Sequence, residues 1–455
     1  MKTIGQYEIV GALGRGGMSK VYKVRVPRIG KIAALKVFAP SRKLVETVGR
    51  DILLKQFVFE ATVIAAIRHP NILEVWGLDD TEDGPCYLME YFSHNLGVLM
   101  GETYWAETPS RVIPVERAVR YAQGALAGLS RLHYAGIVHR DIKPFNLMVT
   151  DEDVVKLADF GLSKRRGESM PFPDGVLIGT RGYAAPEQML DPGSADARAD
   201  QYAVGVTLYR MLTGSLPRVP IDPVSRRHGG LDADWDDFFS KALDREPGGR
   251  FSATRDMAAA LGRLYIDFEE KQSMACRLAQ PSSALPKIWQ ADDADGRIRL
   301  RSQAMTVPAP RAGRVFSLDD LNRPAKYTRN RLIPEEDHTV FDAATDLIWQ
   351  QAGSAYPMTL AEAGAYIDRL NKTRFAHRDD WRFPTVDELL SLINPPGPTD
   401  FCLEPVFDQA QRWIWSADRR SKRSAWYVDA ELGFVAAHDD TGFFFARAVA
   451  GPDNR

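Results

Sequence analysis

The chain has 455 residues, of which 45% are hydrophobic and 26% are charged. At about 150 residues per domain, this length predicts two or three folded domains, and the composition excludes a collagen-like or mostly disordered chain. The 58 Lys and Arg residues nearly balance the 60 Asp and Glu residues, and the net charge is −2. We therefore expect no general attraction to nucleic acids or to anionic membranes.

The cysteines do not form a recognisable framework. Cys86, Cys276 and Cys402 are odd in number and far apart, which supports neither a set of disulfides nor a zinc cluster. We therefore expect a reducing compartment, the cytoplasm. The first residues, MKTIGQYEIVGALG, lack the apolar segment of a signal peptide, and no run of about 18 apolar residues occurs. The sequence predicts neither a signal peptide nor a membrane span.

The first part of the chain changes from sheet-like to helix-like patterns. Apolar alternation in YEIVGALGRGGMSKVYKVRV and KIAALKVF predicts a strand, a glycine turn and two further strands. LLKQFVFEATVIAAIRH has helical spacing and precedes Pro70, and strands return in ILEVWGLDD and CYLMEYF. From Val115 the spacing predicts a long helix closed by Gly136, and further helices follow up to about Glu270. A small sheet-rich lobe thus precedes a larger helical lobe.

The composition changes after the helical lobe. From Gln272 to about Arg331 the chain contains PSSALP, VPAPRAG and the basic runs RIRLRS and KYTRNR without a sustained period, which predicts a linker. Strand and helix patterns then resume and predict a further α+β domain. We place the domains at 7–267 and 336–455, with a linker at 268–335.

A glycine-rich turn lies between the first two long strands. Because strands flank it on both sides, the turn does not fit a dinucleotide-binding motif. Glycines let backbone amides approach a phosphate closely, although a glycine hairpin without a ligand is an equally good interpretation of the motif alone. The candidate residues are Leu13, Gly14, Arg15, Gly16, Gly17, Met18, Ser19 and Val21.

Two charged residues downstream of this turn could form an ion pair. Lys36 lies in AALKVF, where the alternation points its ammonium group to one face of the sheet, and Glu60 lies in the following helix. Such a pair would hold the lysine toward the phosphates of a nucleotide. A solvated lysine on the strand and a surface glutamate on the helix remain the alternatives at this point.

The decisive motifs follow the long helix. They are His139-Arg140-Asp141-Ile142-Lys143-Pro144-Phe145-Asn146, Asp159-Phe160-Gly161 and Ala185-Pro186-Glu187. Through them the sequence resembles the protein kinase superfamily over about residues 7–267, and Gly-Arg-Gly-Gly-Met-Ser is similar to the bacterial Hanks-type serine/threonine kinases. The resemblance implies a bilobal kinase fold that uses ATP and Mg²⁺. It also implies that Glu187 pairs with Arg250 and that Asp200 braces the catalytic loop.

The resemblance implies a role for each polar residue of these motifs. Asp141 would orient the acceptor hydroxyl and accept its proton, and Lys143 would neutralise charge on the transferred group. Asn146 and Asp159 would hold two Mg²⁺ ions that bridge the phosphates. Lys143 also favours serine or threonine over tyrosine as the acceptor.

The same resemblance implies an adenine site. Met89 lies where the family has its gatekeeper, and Glu90 and Phe92 would offer hinge backbone groups to the base. For Met148, plain packing in the core is an alternative to contact with the nucleotide. The residues expected to enclose the ring are Leu13, Val21, Ala34 and Met148.

The segment after Asp159-Phe160-Gly161 departs from the family. Residues 162–179 contain no threonine, only Ser163 and Ser169, so the usual phosphothreonine switch is in doubt. We expect any regulatory phosphate on one of these serines, or else activation that is independent of loop phosphorylation. Thr180 is expected to contact Asp141 and the lysine that follows it.

The last part of the chain resembles the bacterial C-type-lectin-like domains, a branch of the fold shared with formylglycine-generating enzymes. The resemblance rests on the order of Leu-Ile-Trp, Asp-Trp-Arg-Phe-Pro-Thr, Trp-Ser and Ala-Trp-Tyr-Val. Oxidase chemistry is rejected because only Cys402 is available, and Glu404-Pro405-Val406 lacks a third polar ligand for a calcium-dependent sugar site. We expect loops that recognise a protein or a small molecule. The tryptophans expected in the core are Trp349, Trp381, Trp413, Trp415 and Trp426.

The sequence thus predicts a serine/threonine protein kinase that acts on proteins and carries a recognition domain, with no nucleic-acid partner. The alternatives are a ligand-display protein with a vestigial kinase scaffold and a small-molecule phosphotransferase. A scaffold would not need the complete catalytic set, and the Ala-Pro-Glu segment weighs against a small-molecule acceptor. The complete set is Lys36, Glu60, Asp141, Asn146 and Asp159.

Overall fold

The fold is taken from a computed structural model. The residues that the structure describes are 2–102, 108–161, 163–165, 180–191, 195–278, 297–395 and 402–451. The chain divides into two compact units, Met1–Ala279 and Gln280–Arg455. Each unit has its own sheets and its own buried core, and the predicted α+β class is confirmed.

The first unit begins with a sheet and two helices. The strands are β1 (Thr3–Ile4), β2 (Tyr7–Arg15), β3 (Ser19–Arg25), β4 (Ile32–Phe38), β5 (Val75–Thr81) and β6 (Gly84–Met89), and the helices are α1 (Arg42–Val48) and α2 (Arg50–Ala65). The strands form one antiparallel sheet in the order β1-β2-β3-β4-β6-β5. Alternate residues such as Val24, Leu35 and Leu88 enter the apolar core of this lobe, as the period of a strand requires.

The second lobe of this unit is mostly helical. Its helices are α3 (Leu96–Met100), α4 (Val115–Tyr134), α5 (Pro186–Leu190), α6 (Ala197–Thr213), α7 (Val224–Arg227), α8 (Ala233–Ala242) and α9 (Thr254–Leu278), and its short strands are β7 (His94–Asn95), β8 (Ile137–Val138), β9 (Leu147–Val149), β10 (Val155–Leu157) and β11 (Lys164–Arg165). Helix α4 ends next to Gly136, whose φ of 76° is a conformation that glycine adopts without strain. The predicted order of a sheet-rich lobe and a helical lobe is confirmed.

The second unit contains two separate sheets. Its strands are β12 (Leu332–Pro334), β13 (Thr339–Asp342), β14 (Leu347–Gln350), β15 (Trp413–Ser421), β16 (Ser424–Asp429), β17 (Phe434–Asp439) and β18 (Val449–Ala450), and its helices are α10 (Ala309–Val315), α11 (Leu360–Thr373) and α12 (Val386–Ser391). The strand orders are β12-β13-β14-β18 and β15-β16-β17. Helices α11 and α12 both begin with a capping box, at Thr359 and Thr385, a feature that stabilises a helix start.

The five tryptophans lie in the interior of the second unit, as predicted. Each is at most 6% exposed. Trp381, Trp413, Trp415 and Trp426 each donate a hydrogen bond from the indole nitrogen at 2.9–3.0 Å, three of them to backbone carbonyls and Trp413 to the side chain of Asp429. They therefore act as framework side chains.

The structure differs from the predicted linker at both ends. Helix α9 extends to Leu278, and the chain from residue 297 onward packs within the second unit. Arg301 donates from both terminal nitrogens to Asp418 at 2.8 Å, and Phe316 is buried in the core of that unit. The apolar residues of this segment have no regular period, so only long-range packing shows that they are buried.

In the described part of the chain, no helix combines the length and the apolar character needed to cross a bilayer.

Candidate active site

The glycine-rich turn connects β2 to β3. Gly16 N donates to Ser19 O at 2.9 Å, which closes the turn. The chain after β4 holds the turn from the side, because Ala39 N donates to Met18 O at 3.0 Å and Ser41 N donates to Gly17 O at 2.9 Å. The turn is thus fixed to the sheet that carries Lys36.

Lys36 forms two ion pairs inside the first unit. It lies on β4 and is 6% exposed. Its Nζ donates to Glu60 Oε1 at 2.7 Å and to Asp159 Oδ1 at 2.9 Å. The Glu60 partner was predicted, whereas the direct bond to Asp159 was not. The solvated lysine and the surface glutamate, which the sequence left open, do not describe this arrangement.

Lys36 and Asp159 each stabilise the charged form of the other. Burial by itself lowers the pKa of Lys36, but the carboxylates of Asp159 and Glu60 outweigh this effect and hold it well above its usual value. The Lys36 ammonium in turn lowers the pKa of Asp159 to about 2. Lys36 and Asp159 are therefore both charged at neutral pH.

The catalytic loop is held in place by Asp200 of α6. Asp200 Oδ2 accepts from His139 N at 2.9 Å and its Oδ1 accepts from Arg140 N at 2.7 Å. A ring nitrogen of His133 lies 2.8 Å from the same Oδ2. Arg140 has a φ of 71°, in the left-handed region that non-glycine residues rarely adopt. The bracing role predicted for Asp200 is confirmed.

Asp141 is the centre of a polar network. Its Oδ2 accepts from Lys143 Nζ at 2.7 Å and from Asn146 Nδ2 at 3.0 Å. Its Oδ1 accepts from Thr180 Oγ1 at 2.9 Å, and Lys143 Nζ also donates to Thr180 Oγ1 at 2.8 Å. The contact of Thr180 with Asp141 and Lys143 agrees with the sequence prediction. A polar group that binds Asp141 would therefore lie close to the Lys143 ammonium as well.

Asn146 and Asp159 offer oxygen atoms of the type that Mg²⁺ prefers. The Nδ2 atom of Asn146 already donates to Asp141 O at 2.8 Å, so the amide oxygen is the atom of this side chain suited to a cation. The Asp159 side chain is half exposed and ionised at neutral pH. The backbones of the two segments are joined, because Ala158 N donates to Asn146 O at 2.9 Å. The donor set fits a hard divalent cation.

The predicted adenine residues lie on neighbouring strands and on the segment after β6. Met89 ends β6 and is paired with Ala34 of β4, and Val21 of β3 is paired with Lys36. Met148 lies on β9. Leu13 of β2, which was also expected to enclose the adenine ring, is 43% exposed.

Lys156 of β10 was not recognised from the sequence. Its Nζ donates to both carboxylate oxygens of Glu90, at 2.9 and 2.7 Å, and lies 5.7 Å from the centre of the Phe92 ring. One ammonium group therefore contacts both residues of the predicted hinge. Lys156 comes three residues before Asp159, and this short spacing was the only available signal.

The segment that follows Ala185 is anchored by an ion pair with two hydrogen bonds. Arg250 donates from its two terminal nitrogens to Glu187 Oε1 at 2.7 Å and Oε2 at 2.8 Å. The Arg250 side chain is fully buried. This pair agrees with the sequence prediction.

The structure describes only one of the two serines that were expected to carry a regulatory phosphate. Ser163 is 3% exposed and its Oγ atom has no hydrogen-bond partner among the described residues. Ser169 lies outside the described residues. In this arrangement of the chain, Ser163 is not accessible to a kinase.

Comparison with known proteins places these motifs in a family. Residues 7–255 match the family described as "Protein kinase domain", and residues 338–450 match the "Lcl C-terminal domain". Serine/threonine-protein kinase PknB of Mycobacterium leprae (strain TN) is 32% identical over 326 residues, which are 67% of this chain and 48% of that protein. PknB of Mycobacterium tuberculosis (strain ATCC 25618 / H37Rv) is 33% identical over 341 residues, 70% of this chain and 50% of that protein. The chain thus spans about half the length of these curated relatives.

Among solved structures, the kinase domain of Mycobacterium tuberculosis PknI is 27% identical to this chain. That match covers 58% of this chain and 97% of the PknI chain, with a TM-score of 0.45.

Proposed function

The chain belongs to the protein kinase family, and from this premise we propose that it transfers the γ-phosphate of ATP to serine and threonine hydroxyls of proteins. The family generally uses ATP and Mg²⁺. The observation that carries the proposal is a pair of hydrogen-bonded clusters, one of Lys36, Glu60 and Asp159 and the other of Asp141 and Lys143. Phosphoryl transfer depends mostly on positioning and on charge stabilisation, and these two clusters supply both.

In the proposed reaction, Asp141 binds the acceptor hydroxyl, aligns its oxygen with the γ-phosphate and accepts its proton. Lys143, 2.7 Å from Asp141, balances the negative charge on the transferred group. Lys36 binds the α- and β-phosphates and is held in place by Glu60. Asn146 and Asp159 would hold Mg²⁺, which neutralises phosphate charge when bound.

We propose that the nucleotide binds between the two lobes of the first unit. Backbone groups of Glu90 and Phe92 would bind adenine next to Met89, and the amides of the glycine-rich turn would contact the phosphates. The wider set of nucleotide-binding residues in this proposal is Leu13, Gly14, Arg15, Gly16, Gly17, Met18, Ser19, Val21, Ala34 and Met148.

The test is transfer of labelled phosphate from ATP with Mg²⁺, measured as autophosphorylation and as phosphorylation of a basic model protein. Asp141→Asn should lower the rate by about 10²-fold or more, because it removes the group that accepts the proton. Nucleotide affinity should remain, since the phosphate contacts stay in place. The control is Asp237→Asn, which changes an exposed carboxylate on α8. Wild-type turnover in Asp141→Asn would contradict the role of Asp141, and a wild-type chain that transfers no phosphate would support the vestigial scaffold.

For the second unit, we propose recognition of a protein substrate or ligand, on a C-type-lectin-like fold. The match to a separate family over residues 338–450 supports a module with its own role. Because Arg301 is bonded to Asp418, a truncation must cut the chain within 279–296. The isolated first unit should keep its activity toward a basic model protein and lose its preference for the true substrate. A change of more than about tenfold in the general activity would contradict a recognition role.

We also propose a reducing compartment such as the cytoplasm. The proposal rests on the odd number and wide spacing of the cysteines in the sequence, and on Cys86 and Cys402, which are free and buried. Burial raises the pKa of Cys86 to about 11 and that of Cys402 to about 12, so neither thiol is a reactive thiolate at neutral pH.

A further inference from the structure

Helix α2 contacts the segment after Asp159 through a second side chain besides Glu60. Glu60 Oε1 accepts from Phe160 N at 3.0 Å. One turn earlier on the same helix, Gln56 Nε2 donates to Gly161 O at 3.2 Å and to Ser163 O at 3.3 Å. Gln56 is only 9% exposed. Two successive turns of α2 therefore bind three backbone groups of this segment.

The same segment also contacts the strand that precedes the catalytic loop. Ser163 N donates to Phe160 O at 2.9 Å, and Lys164 of β11 is paired with Val138 of β8. His139 follows directly after β8. The described residues of this segment, 160–161 and 163–165, thus bridge the helix that carries Glu60 and the strand that leads into the loop with Asp141. A displacement of this segment would disturb both.

The bonds of Gln56 require no phosphate. A glutamine amide donates to neutral carbonyl oxygens, and both acceptors belong to the backbone. Residues 162–179 contain no threonine. We propose that Gln56 is a positioning residue that holds α2 against the backbone of Gly161 and Ser163 in the active arrangement, without a phosphate on the loop. This inference rests on the proposed kinase function.

The position of Ser163 gives the inference a second consequence. Gln56 binds the carbonyl group of Ser163, and the Ser163 side chain is enclosed. A negative charge at this buried position would have to be hydrated, which would draw the segment away from α2. A charge on Ser163 therefore lowers the activity, which argues against Ser163 as the site of an activating phosphate.

The experiment uses the full chain after phosphatase treatment and measures kcat and the KM for ATP with a basic model protein. Gln56→Glu keeps the size of the side chain but removes its donor, and it should lower kcat by about tenfold with a KM for ATP within twofold of wild type. Gln56→Lys restores a donor and should recover most of kcat. The matched control is Lys55→Met, which changes an exposed neighbour on α2 and should leave kcat unchanged.

Thermal unfolding shows whether each variant is folded. If folded Gln56→Glu retains full kcat, or if Gln56→Lys is as slow as Gln56→Glu, donation by Gln56 does not position the segment. A tenfold loss of wild-type activity on phosphatase treatment would also overturn the inference, because a phosphate would then be required. Absence of wild-type activity both before and after phosphatase treatment would instead refute the proposed function.

A second pair of variants tests the sign of the effect at Ser163. Ser163→Asp should lower kcat at least as much as Gln56→Glu, whereas Ser163→Ala should stay within about twofold of wild type. An increase of activity in Ser163→Asp would overturn the inference and restore an activating role for a charge at this residue.

Discussion

The ion pair between Lys156 and Glu90 is expected to tune ATP affinity. Lys156 lies on β10 and binds both carboxylate oxygens of Glu90, directly after β6. Its ammonium group also lies over the ring of Phe92. Because the backbones of Glu90 and Phe92 are the proposed adenine contacts, Lys156→Met should release the hinge and weaken nucleotide binding without removing a group that acts in phosphoryl transfer.

The size of this effect follows from burial and geometry. The side chains of Lys156 and Glu90 are 19% and 16% exposed, so solvent screens the pair less than it screens a surface ion pair. Hydrogen bonds to charged groups contribute about 1.5–3 kcal/mol. After allowing for the remaining exposure, we assign about 1–2 kcal/mol of nucleotide binding free energy to the Lys156–Glu90 ion pair. Its loss corresponds to a ~5- to ~30-fold increase in the KM for ATP.

Steady-state kinetics with varied ATP measure the change, and kcat at saturating ATP should stay within about threefold of wild type. The charge exchange Glu90→Lys with Lys156→Glu should recover most of the affinity, because it restores an attractive pair. Lys55→Met is the control for the loss of a surface lysine. A KM within twofold of wild type in a folded Lys156→Met variant would refute the reasoning, as would a charge exchange that recovers nothing.

Three further results are expected. Arg250→Met leaves the Glu187 carboxylate without its ion-pair partner, and loss of one member of a buried ion pair costs about 3–5 kcal/mol. Thermal unfolding should therefore show a clear loss of stability. The double variant Arg250→Met with Glu187→Gln should partly restore this stability. The pKa of Asp159 lies at about 2, below its usual value near 3.8. Ionised Asp159 therefore stabilises the fold above about pH 4, and this contribution is lost as the pH falls toward 2. The difference in Tm between wild type and Lys36→Met should therefore shrink between pH 5 and pH 2. Trp426→Phe removes the indole donor to the carbonyl group of Val307, a residue of the segment that the sequence predicted as a linker. It should lower the unfolding free energy of the second unit by about 1–3 kcal/mol in chemical denaturation.

The sequence by itself determined the fold class, most of the elements and the short-range part of the site. Asp141, Lys143 and Asn146 lie within six residues of one another, so a single loop brings them together. In the first sheet, residues two apart on a strand share a face, as Ala33, Leu35 and Val37 of β4 do in the core. The ion pair between Lys36 of β4 and Glu60 of α2 could be predicted as well, because the kinase family pairs a lysine on this strand with a glutamate on the following helix.

The tertiary structure decided which distant polar groups meet. Gln56 binds Ser163, and Lys156 binds Glu90. Apart from the short spacing between Lys156 and Asp159, nothing in their local sequence distinguishes these two residues from solvated polar residues. A single donor or acceptor leaves no periodic pattern, since its partner depends on how whole elements pack.

The segment predicted as a linker shows the same limit for apolar residues. Ile298, Val307 and Phe316 are buried in the second unit, yet their spacing matches neither a strand nor a helix. Their burial depends on the surface that the strands and helices of residues 339–451 present. Periodicity reports the regular elements of a chain, whereas irregular segments are ordered by long-range contacts, which only the folded structure contains.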